Sequence, residues 1–129
     1  MAEGASGDPR LTTWILNSSG MLSADQSIYA GVHAPVLIVL GGPDDVAYTN
    51  GMNDFENINN VPIVVASTPM GHAGTYNQDN GGSFAQPDVA WLNWWLKGDE
   101  GPTGKGVLVG TGCTFCSDNA WEVMSENLP

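Results

Sequence analysis

Unbroken apolar runs mark the strands of this chain. Residues 36–40 (Val-Leu-Ile-Val-Leu) and residues 63–66 (Ile-Val-Val-Ala) contain no polar position. Such runs are typical of parallel strands that are buried on both faces of a sheet. Residues 11–16, which are rich in β-branched and aromatic side chains, predict an earlier strand. The three segments together predict the centre of a parallel sheet.

The pattern also predicts helices between and after these strands. A short helix capped by Ser23 is expected within residues 23–31. Residues 106–110 predict a short strand or extended segment. A longer helix follows the second strand, where apolar residues recur at helical spacing, namely Tyr48, Met52, Phe55 and Ile58. Because strands and helices alternate, the expected fold is α/β, with an open, mostly parallel sheet and flanking helices.

The helix over residues 87–97 has the strongest signals in the chain. Pro87 suits its first turn, and Gly98 suits the left-handed C-terminal cap. In the stretch that follows Asp88, only Asn93 and Lys97 interrupt an apolar surface that includes three tryptophans. We therefore expect this helix to be packed on most sides, with its tryptophans in the core.

A Gly/Pro-rich turn with titratable residues follows each of the two apolar runs. The first turn carries Asp44 and Asp45, and the second carries His72. The carboxyl ends of parallel strands meet at one edge of an open α/β sheet, where such folds place their functional groups. A carboxylate that fixes the tautomer of an imidazole provides two of the three members of an acyl-transfer triad. One of the two acids and His72 are therefore expected to form a pair.

Three segments in this order resemble a known family. They are residues 34–45 (Ala-Pro-Val-Leu-Ile-Val-Leu-Gly-Gly-Pro-Asp-Asp), residues 71–74 (Gly-His-Ala-Gly) and residues 89–99 (Val-Ala-Trp-Leu-Asn-Trp-Trp-Leu-Lys-Gly-Asp). Together they resemble the C-terminal half of an α/β-hydrolase of the dienelactone-hydrolase and esterase type. The resemblance implies that Asp45 is the catalytic acid and His72 the base of a serine-type hydrolase acting on a small-molecule ester or acyl substrate. Two alternatives remain open. Asp44 could be the catalytic acid instead, or Asp44 and Asp45 could both be solvated turn residues without a catalytic role.

The serine nucleophile that this chemistry needs is not found in the sequence. In the family it lies in a G-x-S-x-G turn that precedes the acid. The nearest sequence is residues 4–8 (Gly-Ala-Ser-Gly-Asp), where Asp8 replaces the closing glycine. Ser18 and Ser19 follow a strand, but turn or capping roles are the better interpretation. His33 lies beside Pro35 and is interpreted as a surface linker residue.

The missing nucleophile shapes the expected domain organisation. Residues 1–129 are expected to form a single, partial α/β-hydrolase-like domain, with a Gly/Cys-containing C-terminal extension over residues 100–129. The isolated chain, lacking the nucleophile and the oxyanion hole, should be weakly active or inactive. The alternative is a degenerate, non-catalytic α/β-hydrolase-like module that serves in binding or interaction.

The acidic composition narrows the range of partners. Fourteen acidic and three basic residues give a formal net charge of −11, which argues against nucleic acids and anionic membranes as partners. No apolar stretch reaches the length of a membrane span. Asp54, Glu56 and Asp79 do not follow a calcium-loop pattern, and neither a metal nor a cofactor is expected.

Removing upstream strands would expose a sheet edge, so we expect a homodimer or pairing with a missing N-terminal half.

Cys113 and Cys116 form a C-x-x-C motif in the Gly-rich tail. A redox dithiol would open a helix directly after a strand, and a zinc site needs four ligands. A structural disulfide or a pair of inert thiols is therefore the favoured interpretation. A disulfide would favour an extracellular location, since such bonds persist in oxidising compartments, but the sequence does not show the oxidation state.

Overall fold

The sheet has four strands and is open at both edges. The structure, a computed structural model, describes residues 7–129. Its strands are β1 (Trp14–Asn17), β2 (Val36–Leu40), β3 (Ile63–Ser67) and β4 (Glu122–Glu126), in the spatial order β1-β2-β3-β4. The first three are parallel, with Leu37 opposite Val64, whereas β4 is antiparallel to β3. The fold is therefore α/β with an open, mixed sheet.

Helices cover both faces of this sheet. The helices are α1 (Gln26–Gly31), α2 (Tyr48–Asn57), α3 (Ala85–Lys97) and α4 (Lys105–Leu108), and a 3₁₀ helix (Asp79–Phe84) precedes α3. One core contains side chains of α1 and α2, and the other contains Trp91 and Trp94 of α3 together with Leu108 of α4. Every residue of β2 and β3 is buried, as their unbroken apolar runs predicted.

Two local predictions are wrong for identifiable reasons. The cap of α1 is Asp25, whose carboxylate accepts a hydrogen bond from the Ser27 amide at 2.9 Å, and Ser23 lies outside the helix. Residues 106–110 do not form a strand, since residues 105–108 are the short helix α4. The sheet edge that such a strand would need at β3 is occupied by β4.

Helix α3 is packed less completely than its sequence predicted. It ends as expected at Gly98, which is left-handed with φ 71°. Trp91 and Trp94 are buried, and Trp95 is partly buried. However, Val89, Leu92 and Leu96, here called the α3 flank, are exposed. The Trp91 indole donates a hydrogen bond to Thr13 just before β1. On the outer side of the helix, Val89 lines an open cavity together with Val107 and Phe115.

The C-terminal segment adds both a sheet strand and a cross-link. It supplies β4, and a disulfide joins Cys113 to Cys116, one of the two states expected for this motif. Phe115 stacks on Trp121 with ring centroids 4.4 Å apart, inside the core that also contains α3. Across residues 7–129, no helix combines the length and hydropathy that crossing a bilayer requires.

Candidate active site

The turns that follow β2 and β3 bring Asp45 and His72 into contact. His72 Nδ1 lies 2.8 Å from Asp45 Oδ1, a hydrogen-bonding distance. The two residues are separated by one helix and one strand in the chain, and they meet because both turns leave the carboxyl edge of the parallel strands. The structure thus brings together the two residues that the sequence pattern expected to pair.

Asp45 is a buried carboxylate that the backbone holds in place. Its side chain is fully buried, Oδ2 accepts a hydrogen bond from the Gly41 amide at 3.0 Å, and Oδ1 accepts one from the Ala47 amide at 2.9 Å. Burial acts to raise the pKa of Asp45, but the hydrogen bonds from the two amides and from His72, together with the nearby Ser18 hydroxyl, outweigh it and lower that pKa. Asp45 is therefore ionised at neutral pH and carries its charge beside the imidazole.

A backbone contact between the two turns fixes their separation. The Gly71 amide donates to the Gly41 carbonyl at 2.8 Å, and the Thr68 amide donates to the Leu40 carbonyl at 3.0 Å. A Cβ atom at Gly41 would lie 1.9 Å from the Gly71 carbonyl oxygen, so no other residue fits at Gly41. Gly71 itself has φ 72°, which suits glycine. Both glycines are thus required for the approach of Asp45 to His72.

His72 presents one ring nitrogen to Asp45 and leaves the rest of the ring accessible. Its side chain is 57% exposed. Because Asp45 is an acceptor at neutral pH, the proton of a neutral imidazole is assigned to Nδ1, and Nε2 then carries a lone pair. Among residues 7–129, no hydroxyl group forms a hydrogen bond with His72. The ring is therefore oriented and basic at Nε2, with no serine of the described chain bound to it.

A small cavity of about 220 Å³ adjoins His72. Leu22, Val46 and Ala47 contribute apolar side chains to its wall, and Ser18 and Asn50 contribute polar ones. Leu22 and Val46 are among the few large apolar side chains that are strongly exposed. The wall of this cavity therefore combines apolar side chains with uncharged polar ones and contains no Asp, Glu, Lys or Arg.

The other sequence candidates do not join the pair. Asp44 is exposed, unlike its buried neighbour Asp45. His33 lies before β2, at the opposite end of that strand from the Asp45 turn, and its Nδ1 lies 3.3 Å from the Gly31 carbonyl oxygen. The serine of residues 4–8 lies outside the described residues.

Ser18 has an unusual position but does not reach the imidazole as a partner. It has φ 42°, in the left-handed region, and is buried directly after β1. Its hydroxyl lies close enough to the Asp45 carboxyl to help lower the pKa of that group, yet it forms no complete hydrogen bond. Ser19, the next residue, is half-buried at the wall of the cavity. The Ser18 hydroxyl therefore lies near both Asp45 and Tyr76 and acts to lower the pKa of each.

A buried polar cluster beside the pair was not anticipated from the sequence. Asn17 Nδ2 donates to Asp88 Oδ2 at 2.9 Å, while Asn17 Oδ1 and Asp88 Oδ1 are buried without a partner. Burial raises the pKa of Asp88. Burial also raises the pKa of Tyr76 to about 12, to which the charges of Asp88 and Asp45 contribute. These residues are far apart in the chain and follow no local motif that could have revealed them.

The described residues offer no metal site. Within residues 7–129, no group of three or more His, Cys, Asp or Glu side chains is arranged to hold an ion. An oriented imidazole such as that of His72 is able to transfer protons and to act as a nucleophile.

No protein-family model matches the chain, and a search of curated proteins finds no match either.

Proposed function

We propose that this chain is the acid/base half of a serine-type acyl (ester) hydrolase, with Asp45 orienting His72. The observation that supports the proposal is the 2.8 Å contact between a buried, backbone-held carboxylate and a half-exposed imidazole. A surface ion pair would leave both groups exposed, whereas here only the imidazole is accessible. That asymmetry suits a pair in which one group positions the other for chemistry.

In the proposed reaction the two residues divide the work. Asp45 keeps the proton on Nδ1 and stabilises the imidazolium that forms when Nε2 takes a proton from a serine hydroxyl. His72 then returns that proton to the leaving group. The serine and the backbone amides that hold the oxyanion are supplied by a segment outside the residues described here. The proposed mechanism uses no cofactor.

The surroundings of His72 support a neutral substrate. Leu22 and Val46 offer apolar contacts beside the ring, and the net charge of −11 disfavours the approach of anions. We therefore propose an uncharged small-molecule ester or acyl compound as the substrate class.

The open edge of β1 supports a polypeptide partner for this half. Among residues 7–129, β1 pairs with β2 only, so its outer side has backbone groups that no described strand pairs with. Asn17 of β1 and Asp88 of α3 carry buried oxygens without a partner near this edge, and α3 also carries the exposed flank. We propose that either a second copy of the chain or the missing nucleophile-bearing half covers this edge.

Light scattering after size-exclusion chromatography tests this partner proposal. Self-association is expected for the wild type and should weaken when Leu92 and Leu96 are both changed to serine. Leu22→Ser, an equally drastic change at an exposed leucine outside the flank, should leave the assembly unchanged. A monomer at all concentrations would reject the second copy and leave the nucleophile-bearing half as the proposed partner.

Turnover of p-nitrophenyl acetate tests the proposed function. The wild type should show weak hydrolysis that falls to background in His72→Ala and drops strongly in Asp45→Asn. Asp44→Asn is the matched control, since this neighbouring carboxylate is exposed and should not matter. Measurable hydrolysis that proceeds at the same rate in the wild type and in His72→Ala would reject the proposal and favour the non-catalytic interaction module. The α3 flank is the observation that favours that second candidate.

A fluorophosphonate probe tests the absence of the nucleophile. No stoichiometric labelling of a serine is expected in this chain. Labelling would show that one of its own serines is activated by His72.

A further inference from the structure

We propose that His72 is itself a nucleophile toward activated esters, so that the chain forms an acyl-imidazole at Nε2 without any serine. The substrate class is small, uncharged esters with a phenol or thiol leaving group. This inference rests on the proposed function in so far as both use the Asp45–His72 pair, but it assigns the covalent bond to a different atom.

The geometry leaves Nε2 available for attack. Nδ1 is engaged by Asp45 at 2.8 Å, which turns the Nε2 lone pair away from the carboxylate. The ring is 57% exposed, and no hydroxyl of residues 7–129 is bound to it. In a complete triad the serine hydroxyl occupies this position and receives the acyl group. Here a substrate carbonyl can reach the nitrogen directly.

The buried carboxylate promotes this attack. A positive charge develops on the imidazole as Nε2 bonds to the carbonyl carbon, and Asp45 stabilises that charge from inside the protein. Because the amides of Gly41 and Ala47 hold the carboxylate, it needs no reorganisation during the reaction. A free imidazole in water has no such fixed partner.

The cavity beside the ring sets the size of the acyl group. Its volume of about 220 Å³ is below the roughly 300–1,000 Å³ of sites for drug-sized ligands. The apolar walls formed by Leu22, Val46 and Ala47 suit a short alkyl chain and offer no cation to a charged one. Acetyl and propionyl esters are therefore expected to react faster than octanoyl esters.

The leaving group limits the reaction to activated esters. Nε2 forms a bond to the carbonyl carbon, and the carbon–oxygen bond then breaks, with the phenolate leaving with the electron pair. From an alkyl ester the tetrahedral intermediate would expel imidazole instead, because an alkoxide is the poorer leaving group. Water then adds to the acyl carbon and the carbon–nitrogen bond breaks. The carboxylic acid keeps one proton of the water, the other proton goes to the solvent and neutralises the phenolate, and neutral His72 is released.

Rapid-quench mass spectrometry of the chain with p-nitrophenyl acetate tests the inference. We expect one acetyl group per chain before the steady state, located on the peptide that contains His72. The chain has two histidines, so His33→Ala is the matched control and should be acetylated as the wild type is. His72→Ala should carry no acetyl group, and Asp45→Asn should be acetylated at least about tenfold more slowly. Rates across phenyl acetates should rise steeply as the phenol becomes more acidic.

The possible results separate this inference from the proposed function. Turnover that requires His72 but shows no acetyl-histidine, and that slows about twofold to threefold in D₂O, means that His72 deprotonates water. That result overturns the inference and leaves the function standing. Acetylation of a serine overturns the inference, and it also shows that the chain carries a serine nucleophile of its own. The absence of both turnover and acetylation overturns the inference alone, because the proposed function assigns the serine to another segment and is compatible with an inactive chain.

Discussion

Replacing Asp45 by asparagine should destabilise the fold as well as the site. The carboxylate accepts hydrogen bonds from the Gly41 and Ala47 amides and from His72 Nδ1. Asparagine retains one acceptor oxygen and places an amide group where the other oxygen was. At least one buried donor then faces another donor, at a cost of about 1–3 kcal/mol. We expect Asp45→Asn to lower the free energy of unfolding by about 2–3 kcal/mol at pH 7.

The size of this loss should depend on pH with a definite sign. The folded-state pKa of Asp45 is lowered, because its hydrogen bonds outweigh the effect of burial. The stability that its ionised form provides is therefore complete above the unfolded-state pKa of about 3.9. It is lost as the pH falls through the still lower folded-state pKa. The difference between the wild type and Asp45→Asn should therefore be constant near neutrality and shrink in strong acid.

Urea unfolding followed by fluorescence of the five tryptophans measures both effects. Asp44→Asn, which changes an exposed carboxylate next to Asp45, should alter the free energy of unfolding by less than about 0.5 kcal/mol. An unchanged midpoint for Asp45→Asn at pH 7 would refute the reasoning. If the difference in unfolding free energy between the wild type and Asp45→Asn grew as the pH fell, the lowered pKa assigned to Asp45 would be wrong.

Three further predictions concern the scaffold. Gly41→Ala should cost at least about 3 kcal/mol in thermal unfolding, because its Cβ would collide with the Gly71 carbonyl, and wild-type stability would contradict that contact. Tyr29→Phe removes a hydrogen bond of 2.9 Å to the buried Asp54 carboxylate and should cost about 1–2 kcal/mol. Burial raises the pKa of Asp54, and the ionised form of this carboxyl needs the Tyr29 hydroxyl as a donor. The loss of unfolding free energy in Tyr29→Phe should therefore be greater at pH 7 than at pH 4. Equal losses at the two pH values would contradict this role of the Tyr29 hydroxyl. The Cys113–Cys116 disulfide closes a very short loop, so its reduction should lower the urea midpoint by the equivalent of about 2 kcal/mol. Complete unfolding on reduction would show that the disulfide contributes more to stability than this loop closure.

The elements with continuous local patterns could be predicted from the sequence. Strands β2 and β3 could be predicted because an unbroken apolar run needs burial on both faces. The bounds of β2 match the prediction, and β3 extends one residue beyond its predicted end. The apolar periodicity predicted α2, and Gly98 predicted the end of α3. Contact between Asp45 and His72 was predictable because parallel strands end at one edge.

The features of the fold that could not be predicted depend on contacts between residues that are distant in the sequence. Residues 106–110 are apolar enough for a strand, but β4 already holds the neighbouring edge. The exposure of the α3 flank could not be predicted, because its residues are as apolar as the buried residues of the same helix. Asn17 and Asp88 meet across 71 positions of sequence, so neither residue marks the polar cluster on its own.

The backbone bond between Gly41 and Gly71 has a consequence for how the site can change over evolutionary time. Because main-chain atoms span the gap between the two loops, the spacing of acid and base does not depend on which side chains surround them. Neighbouring positions such as Leu22 and Val46 are then free to vary and to reshape what the imidazole meets. The geometry of the Asp45–His72 pair then stays constant while the walls of the neighbouring cavity change.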